Sequence, residues 1–306
     1  MPNTNLHKAK TAKNDEFYTQ LTDVAKELMH YKKHFKDKIV FCNCDDPTWS
    51  AFWKYFHLNF AELGLKKLIS THYDREEATY KMEYTGGDDN DIEVGVKRPL
   101  EGNGDFRNQE CLDLLDESDI VVTNPPFSLF REYVAVLMEH QKKFLIIGNK
   151  NAITYKEFFP LLKENKVWIG YENPSEFMTP DGMTKKVQGL CRWFTNLDIP
   201  KRHENLILWK HYTPEEYPKF DELPDVINID KVQNIPVGFD GLMAVPITFL
   251  DKYNPEQFEI IDALNRYTIL DYFGVNEDVQ NRHSHCCNIN GKSTYYRIVI
   301  RKKVGA

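Results

Sequence analysis

Asp119-Ile120-Val121-Val122-Thr123-Asn124-Pro125-Pro126-Phe127 decides how this chain is read. Ile120 to Val122 form a short β-branched run between polar residues, the pattern of a strand buried on both faces. Proline fixes its own φ and has no N–H for a sheet ladder, so the strand must end before Pro125. Asn124 to Phe127 is then a stiff loop at the carboxyl edge of a strand, which is where open α/β sheets bind ligands. At proline's usual ~5% of residues, an Asn/Asp/Ser-Pro-Pro-aromatic match arises by chance at on the order of 1% in a chain this long, so the motif carries the argument.

Working outward from the loop, strands and helices alternate. Upstream, the spacing predicts a helix from Thr22, as cap, to about His34, with Asp23 in its first turn. A strand follows at Lys38 to Cys42, then a helix over 49–63 and a strand at Leu68 to Ser70. Residues 77–97 read as an inserted hairpin turning at GGDDND, and 109–117 as a helix. Downstream lie a helix over 128–140 and a strand at Phe144 to Ile147. Val167 to Ile169, Asn205 to Trp209 and Tyr295 to Ile300 read as further strands. The expected fold class is α/β, with a mostly parallel, Rossmann-like sheet covered on both faces. Beyond 211 the chain becomes proline-rich and irregular.

The composition fits a globular chain: 306 residues, 42% hydrophobic and 28% charged. No apolar run approaches the ~20 residues of a membrane span, and the start lacks a secretory apolar core, so a cytoplasmic protein without membrane contact is expected. The six cysteines suggest no disulfide framework. His283-Ser284-His285-Cys286-Cys287 is too short to wrap a tetrahedral zinc alone and reads as a polar turn, so no metal is expected. The net charge of −7 argues mildly against a nucleic-acid partner, but a basic face can coexist with acidic surface.

The loop suits one chemistry in particular. An aromatic amine is a poor nucleophile because its lone pair is delocalised into the ring. Acceptors on its hydrogens draw the nitrogen towards tetrahedral geometry. The Asn124 side-chain carbonyl and the Pro125 carbonyl can do this, Pro125 and Pro126 hold them in place, and Phe127 offers a stacking platform. No Walker-type loop, HExxH motif or Ser-His-Asp arrangement is present. No histidine base is needed, because a methylated, cationic amine loses its proton readily.

KNDEFYTQ, CDDPTWSAFWKYF, GDF, IVVTNPPFSLFREYV, KKFLIIGNKNAI and VPITFLDKYNPEQFE extend the pattern from near residue 13 to about 259. Together they resemble the EcoRI-type adenine-specific DNA methyltransferase family. The resemblance implies S-adenosyl-L-methionine (SAM) as cofactor, double-stranded DNA as partner, and transfer to the N6 amine of a flipped adenine. It also implies a SAM site. Phe17, Tyr18 and Thr19 would close over the methionine end. Asp45, Asp46 and Pro47 would hold the methionine ammonium, Asp74 the ribose, and Asp105 with Phe106 the adenine ring. One departure is plain: Thr48-Trp49-Ser50-Ala51-Phe52 stands where glycines are usual, so the backbone cannot approach a ligand as closely.

The expected organisation is a basic arm (1–13), a catalytic domain (14–210) and a target-recognition segment (211–306). Arg75, Lys97, Arg98, Lys185, Lys186, Lys201 and Arg202 are candidate phosphate contacts. A monomer is expected, tied to any restriction endonuclease by function rather than contact. Two alternatives remain open on sequence: an amino-methyltransferase acting on RNA or a protein glutamine, and a non-catalytic DNA-binding subunit.

Overall fold

A computed structural model describes residues 18–74, 78–178, 183–264 and 288–303. Phe17, Arg75 and the cluster at 283–287 lie outside the described residues. The chain divides into two compact units, 1–152 with 167–197, and 153–166 with 198–306.

The first unit opens with β1 (Tyr18–Thr19), α1 (Leu21–Leu28), α2 (Lys32–Phe35), β2 (Ile39–Cys42), α3 (Ala51–Leu58), α4 (Phe60–Leu63) and β3 (Lys67–His72). It continues through β4 (Tyr80–Tyr84), β5 (Val96–Pro99), α5 (Gln109–Glu117), β6 (Ile120–Thr123), α6 (Phe130–Glu139) and β7 (Lys143–Asn149). The chain then enters the second unit, forming α7 (Phe159–Lys163) there, and returns as β8 (Trp168–Ile169), β9 (Glu176–Met178), β10 (Thr184–Lys186) and β11 (Cys191–Thr195).

Eight strands form the main sheet in the order β5-β4-β3-β2-β6-β7-β11-β8. β3, β2, β6 and β7 are parallel neighbours, while β4 and β11 run against them. β5 and β8 are antiparallel to those reversed strands and so recover the common direction. The sheet is therefore mostly parallel, as the apolar runs predict. Val40 to Cys42, Val121, Val122 and Phe144 to Ile147 are all fully buried. From β2 the chain adds β3 on one side and later β6 on the other. That reversal opens a crevice at the carboxyl ends of β2 and β6.

The helix α3 has six of its eight residues buried. Phe52 meets Trp193 of β11 edge-on at 5.9 Å between ring centroids, and Phe56 meets Phe35 at 5.0 Å. Each fully buried ring of this kind contributes about 1.5–3 kcal/mol. The polar tips of α3 hold the insert. Trp53 Nε1 donates to the Ile92 carbonyl at 3.0 Å, and the His57 ring nitrogens lie 2.9 and 3.3 Å from the carbonyls of Val94 and Asp89. The inserted hairpin thus extends the main sheet beyond β3.

Thr22 does not cap α1: the N-cap is Gln20, without a side-chain cap bond. Asp23 and Glu27 turn inward instead, where they find donors. Glu27 accepts from the backbone N–H groups of Tyr171 and Glu172, and Asp23 from the N–H and hydroxyl of Ser175. These bonds anchor the approach to β9, which pairs with β1 and β10 in a small sheet.

The second unit has its own core. β12 (Lys210–His211), β13 (Val226–Asn228), β14 (Pro236–Val237), β15 (Leu242–Pro246), β16 (Phe258–Leu264), β17 (Asn288–Ile289), β18 (Lys292–Ser293) and β19 (Arg297–Lys302) follow in order. The sheet β13-β15-β19-β16 packs Phe220, Leu223, Val226, Ala244, Ile261, Leu264 and Val299 together. Residues 205–209, expected as a strand, form none. The Gln257 side chain both accepts from the Leu206 N–H (2.7 Å) and donates to its carbonyl (2.9 Å), replacing a strand partner. Ile207 and Trp209 are left 89% and 61% exposed. Among the described residues, no helix is long and apolar enough to cross a membrane.

Candidate active site

Three loops converge on the carboxyl side of the first unit's sheet: those after β2, β3 and β6. Asn124, half-buried, follows β6 directly; Pro125 is buried and Phe127 half-buried. The Pro126 carbonyl accepts from the Leu129 N–H at 2.9 Å, closing a short helical turn. Phe127 packs against Phe177 of β9, ring centroids 6.2 Å apart. Thr19 pairs with Phe177 across β1 and β9, so both side chains lie on one face of the small sheet. The N-terminal motif and the proline loop are thereby brought together. The Thr19 hydroxyl is buried and has no hydrogen-bond partner among the described residues.

The loop after β2 keeps its shape without glycine. Asp46 Oδ1 accepts from the Thr48 N–H (2.8 Å), the Thr48 hydroxyl (2.7 Å) and the Tyr80 hydroxyl (2.9 Å). His72 Nδ1 lies 2.8 Å from Asp46 Oδ2, and the His72 ring stacks on Tyr80. Ser50 caps α3, accepting from the N–H groups of Phe52 and Trp53. Cys44 supplies the left-handed turn, with φ of 70°. Asp45 points inward: its carboxylate accepts from the hydroxyls of Ser50 (3.0 Å) and Thr123 and from the Asn124 backbone N–H. Burial pushes the Asp45 carboxyl up to about 7, against the opposing pull of these donors.

The loop after β3 carries Asp74, whose N–H donates to the Asn103 carbonyl at 3.2 Å. Gly104 makes this approach feasible: with φ of +74°, a Cβ there would lie 2.4 Å from the His72 carbonyl oxygen. Asp105 is clamped by Arg107, whose Nη2 lies 2.7 Å from its Oδ2. Phe106 is buried edge-on against Tyr133 of α6, centroids 4.9 Å apart.

Asn124 to Phe127, Thr19, Asp45, Asp46, Pro47, Asp74, Asp105 and Phe106 all belong to the first unit. The described basic candidates lie on several different elements. Lys97 and Arg98 lie exposed on β5, an edge of the main sheet, with Lys97 Nζ 3.5 Å above the Tyr80 ring. Lys185 and Lys186 lie exposed on β10, an edge of the small sheet. Lys201 and Arg202 belong to the second unit, where Arg202 donates to Asn165 Oδ1 at 3.1 Å. Sequence reasoning missed Thr123, His72, Tyr80 and Phe177. Only Ser50, as a serine opening an apolar helical run, carried a readable local signal. Among the described residues, no cluster suits a metal ion.

The chain is similar to known proteins along nearly its whole length. The family described as adenine-specific methyltransferase EcoRI matches residues 5–303. The Type II methyltransferase M.EcoRI of Escherichia coli is 45% identical, with 97% of this chain aligned to 96% of that protein. M.MpnI of Mycoplasma pneumoniae and M.MgeORF184P of Mycoplasma genitalium, both Type II methyltransferases, are 40% and 39% identical; each alignment covers 97% of this chain and 98% of the relative. No solved structure matches the chain. The proline loop at the sheet's switch point and the match along nearly the whole chain agree: this chain belongs to the EcoRI family of adenine-specific methyltransferases.

Proposed function

We propose that this enzyme is a site-specific DNA methyltransferase that transfers a methyl group from SAM to the N6 amine of adenine in duplex DNA. The observation that carries this reading is the Asn124-Pro125-Pro126-Phe127 loop at the β2/β6 crevice, in a chain of this family. Inside a duplex the amine is inaccessible, so the adenine is rotated out of the stack. The Asn124 side-chain carbonyl and the Pro125 carbonyl accept the amine hydrogens and aim the lone pair. Phe127 stacks on the base.

SAM, when bound, supplies an electrophilic methyl group. The buried Thr19 hydroxyl, with no partner among the described residues, and the convergence of three loops at the switch point fit such a cofactor. Phe17, Tyr18 and Thr19 would cover its methionine end, and Asp46, beside Pro47, has acceptor capacity left on Oδ2 for an ammonium. Asp74 would take the ribose, and Asp105 with Phe106 the adenine ring. Arg75, Lys97, Arg98, Lys185, Lys186, Lys201 and Arg202 supply phosphate contacts, and residues 211–306 read the target. The enzyme acts as a cytoplasmic monomer, sharing a recognition site with any cognate endonuclease rather than touching it.

The test is transfer from labelled SAM to unmethylated genomic DNA, followed by sequencing that detects methylated adenine. One short motif carrying N6-methyladenine is expected. SAM binding without DNA methylation would overturn the substrate and favour RNA or a protein amide.

A further inference from the structure

We infer that Asp45 is a positioning residue for methyl transfer rather than a cofactor ligand: it ties the loop after β2 to the loop that carries Asn124. The inference rests on the function proposed above.

The geometry is specific. Asp45 is 4% exposed, and its carboxylate meets donors from three elements: the Ser50 hydroxyl at the start of α3, the Thr123 hydroxyl at the end of β6, and the backbone N–H of Asn124. Its own carbonyl accepts from the Ser70 hydroxyl of β3. The two loops lining the switch-point crevice are thus joined through one side chain. A carboxylate turned this way holds the backbone of the amine-orienting residue and has little to offer an ammonium in the crevice. Asp46, the next residue, retains acceptor capacity for that task.

The proton inventory makes the link sensitive to charge. The Thr123 hydroxyl has one proton and lies against two acceptors, the Asn43 carbonyl and the Asp45 carboxylate. With Asp45 ionised, Thr123 donates to it, and the Asn124 N–H bond is charge-assisted and about twice as strong as a neutral one. With Asp45 protonated, the acid donates to Thr123, Thr123 turns to Asn43, and the hold on Asn124 weakens. The groups facing Asp45 are Asp46 on its own loop, Cys42 and Cys44 around the end of β2, and Tyr133 from α6. Burial raises both thiols and the phenol, so they stay neutral, and Asp46 is paired with His72 at 2.8 Å. Asp45 therefore exchanges its proton near neutrality, its carboxyl being pushed up to about 7.

The test measures single-turnover transfer from tritiated SAM to unmethylated genomic DNA between pH 5.5 and 9, at roughly quarter-unit intervals. The wild-type rate is expected to rise with pH through one ionisation near 7. Asp45→Asn, which mimics the protonated acid, is expected to run roughly 10- to 100-fold slower at pH 8, without that ionisation, and to bind SAM within about threefold of wild type. Thr123→Val, which removes one donor to the carboxylate, is expected to fold and to move the ionisation about one unit upward. An Asp45→Asn rate matching wild type, or an unchanged acid limb in both variants, would overturn this inference alone. So would lost SAM affinity with an intact rate at saturating SAM, which would return Asp45 to the cofactor. No transfer by the wild-type chain would overturn the proposed function and this inference with it.

Discussion

Two loops border the switch-point crevice, and they keep their shapes by different physics. The loop after β6 is stiff because Pro125 and Pro126 have covalently fixed φ angles. The loop after β2 contains no glycine and no second proline, and is held by its carboxylates. Asp46 gathers Thr48, Tyr80 and His72, and Asp45 gathers Ser50, Thr123 and Asn124. Ring constraint is indifferent to pH and needs no neighbours. Hydrogen bonding to buried carboxylates needs partners from three strands and a helix, and it responds to protonation. The usual glycines let a backbone approach its ligand closely. Here side chains have taken over the shaping of the loop.

The largest expected effect falls on the proline loop. Asn124→Ala should slow methyl transfer by about 10²- to 10³-fold while leaving SAM and DNA affinities within a few-fold, because in the proposed role the acceptor acts only as the amine reacts. Single-turnover rates beside equilibrium titrations check this, and unchanged turnover would break the comparison on its better-defined side.

Next in size is a stability effect on the other loop. An acid whose folded value lies near 7, against an ordinary 3.8, holds its proton longer in the folded chain than in the unfolded one. Its contribution is fully present below about pH 4, is lost as pH rises to about 7, and is flat above. The size is up to about 4 kcal/mol. Asp45→Asn does not titrate, so its stability relative to wild type should grow by about that amount between pH 4 and pH 8 in urea unfolding. A slower enzyme that is also more stable at pH 8 would mark Asp45 as a group whose buried charge serves function at some expense of stability. A pH-independent difference would remove the electrostatic half of the comparison.

A smaller effect is expected at Asp46. Asp46→Asn exchanges a charged acceptor for a neutral one and should weaken SAM binding by roughly 10- to 100-fold, read by calorimetry, with little change in the rate at saturating SAM. Smaller again, Ser50→Ala removes the cap of α3 and one donor to Asp45. It should cost about 1 kcal/mol of stability and shift the Asp45 ionisation upward.

The two loops also differ in how legible they were. Asn124 to Phe127 could be read directly because proline's constraint is local and the preceding run, Ile120 to Val122, announces its own burial. The alternation that predicts a mostly parallel sheet was legible for the same reason, and α5 falls on the expected residues, Gln109–Glu117. Asp45 and Asp46 were visible as carboxylates after a strand, but their tasks were not. Nothing in Asp45-Asp46-Pro47 says that one carboxylate turns towards Thr123, 78 residues away, and the other towards Tyr80. The same limit explains Asp23. Its place in a first turn suggested a dipole partner, yet Ser175, 152 residues on, offered it better donors. It also explains 205–209, where Gln257 satisfies Leu206 and the apolar run never becomes a strand.

What the sequence by itself determined is whatever depends on neighbours along the chain: strand and helix periods, the stop imposed by two prolines, and the family to which such a pattern belongs. What only the tertiary structure decided is which distant donors meet which buried carboxylates. The physical reason is that a charge taken out of water takes its direction, its proton and its role from the few groups that surround it. For Asp45 those groups lie on α3, β6 and the proline loop, and they come together only when the sheet has formed.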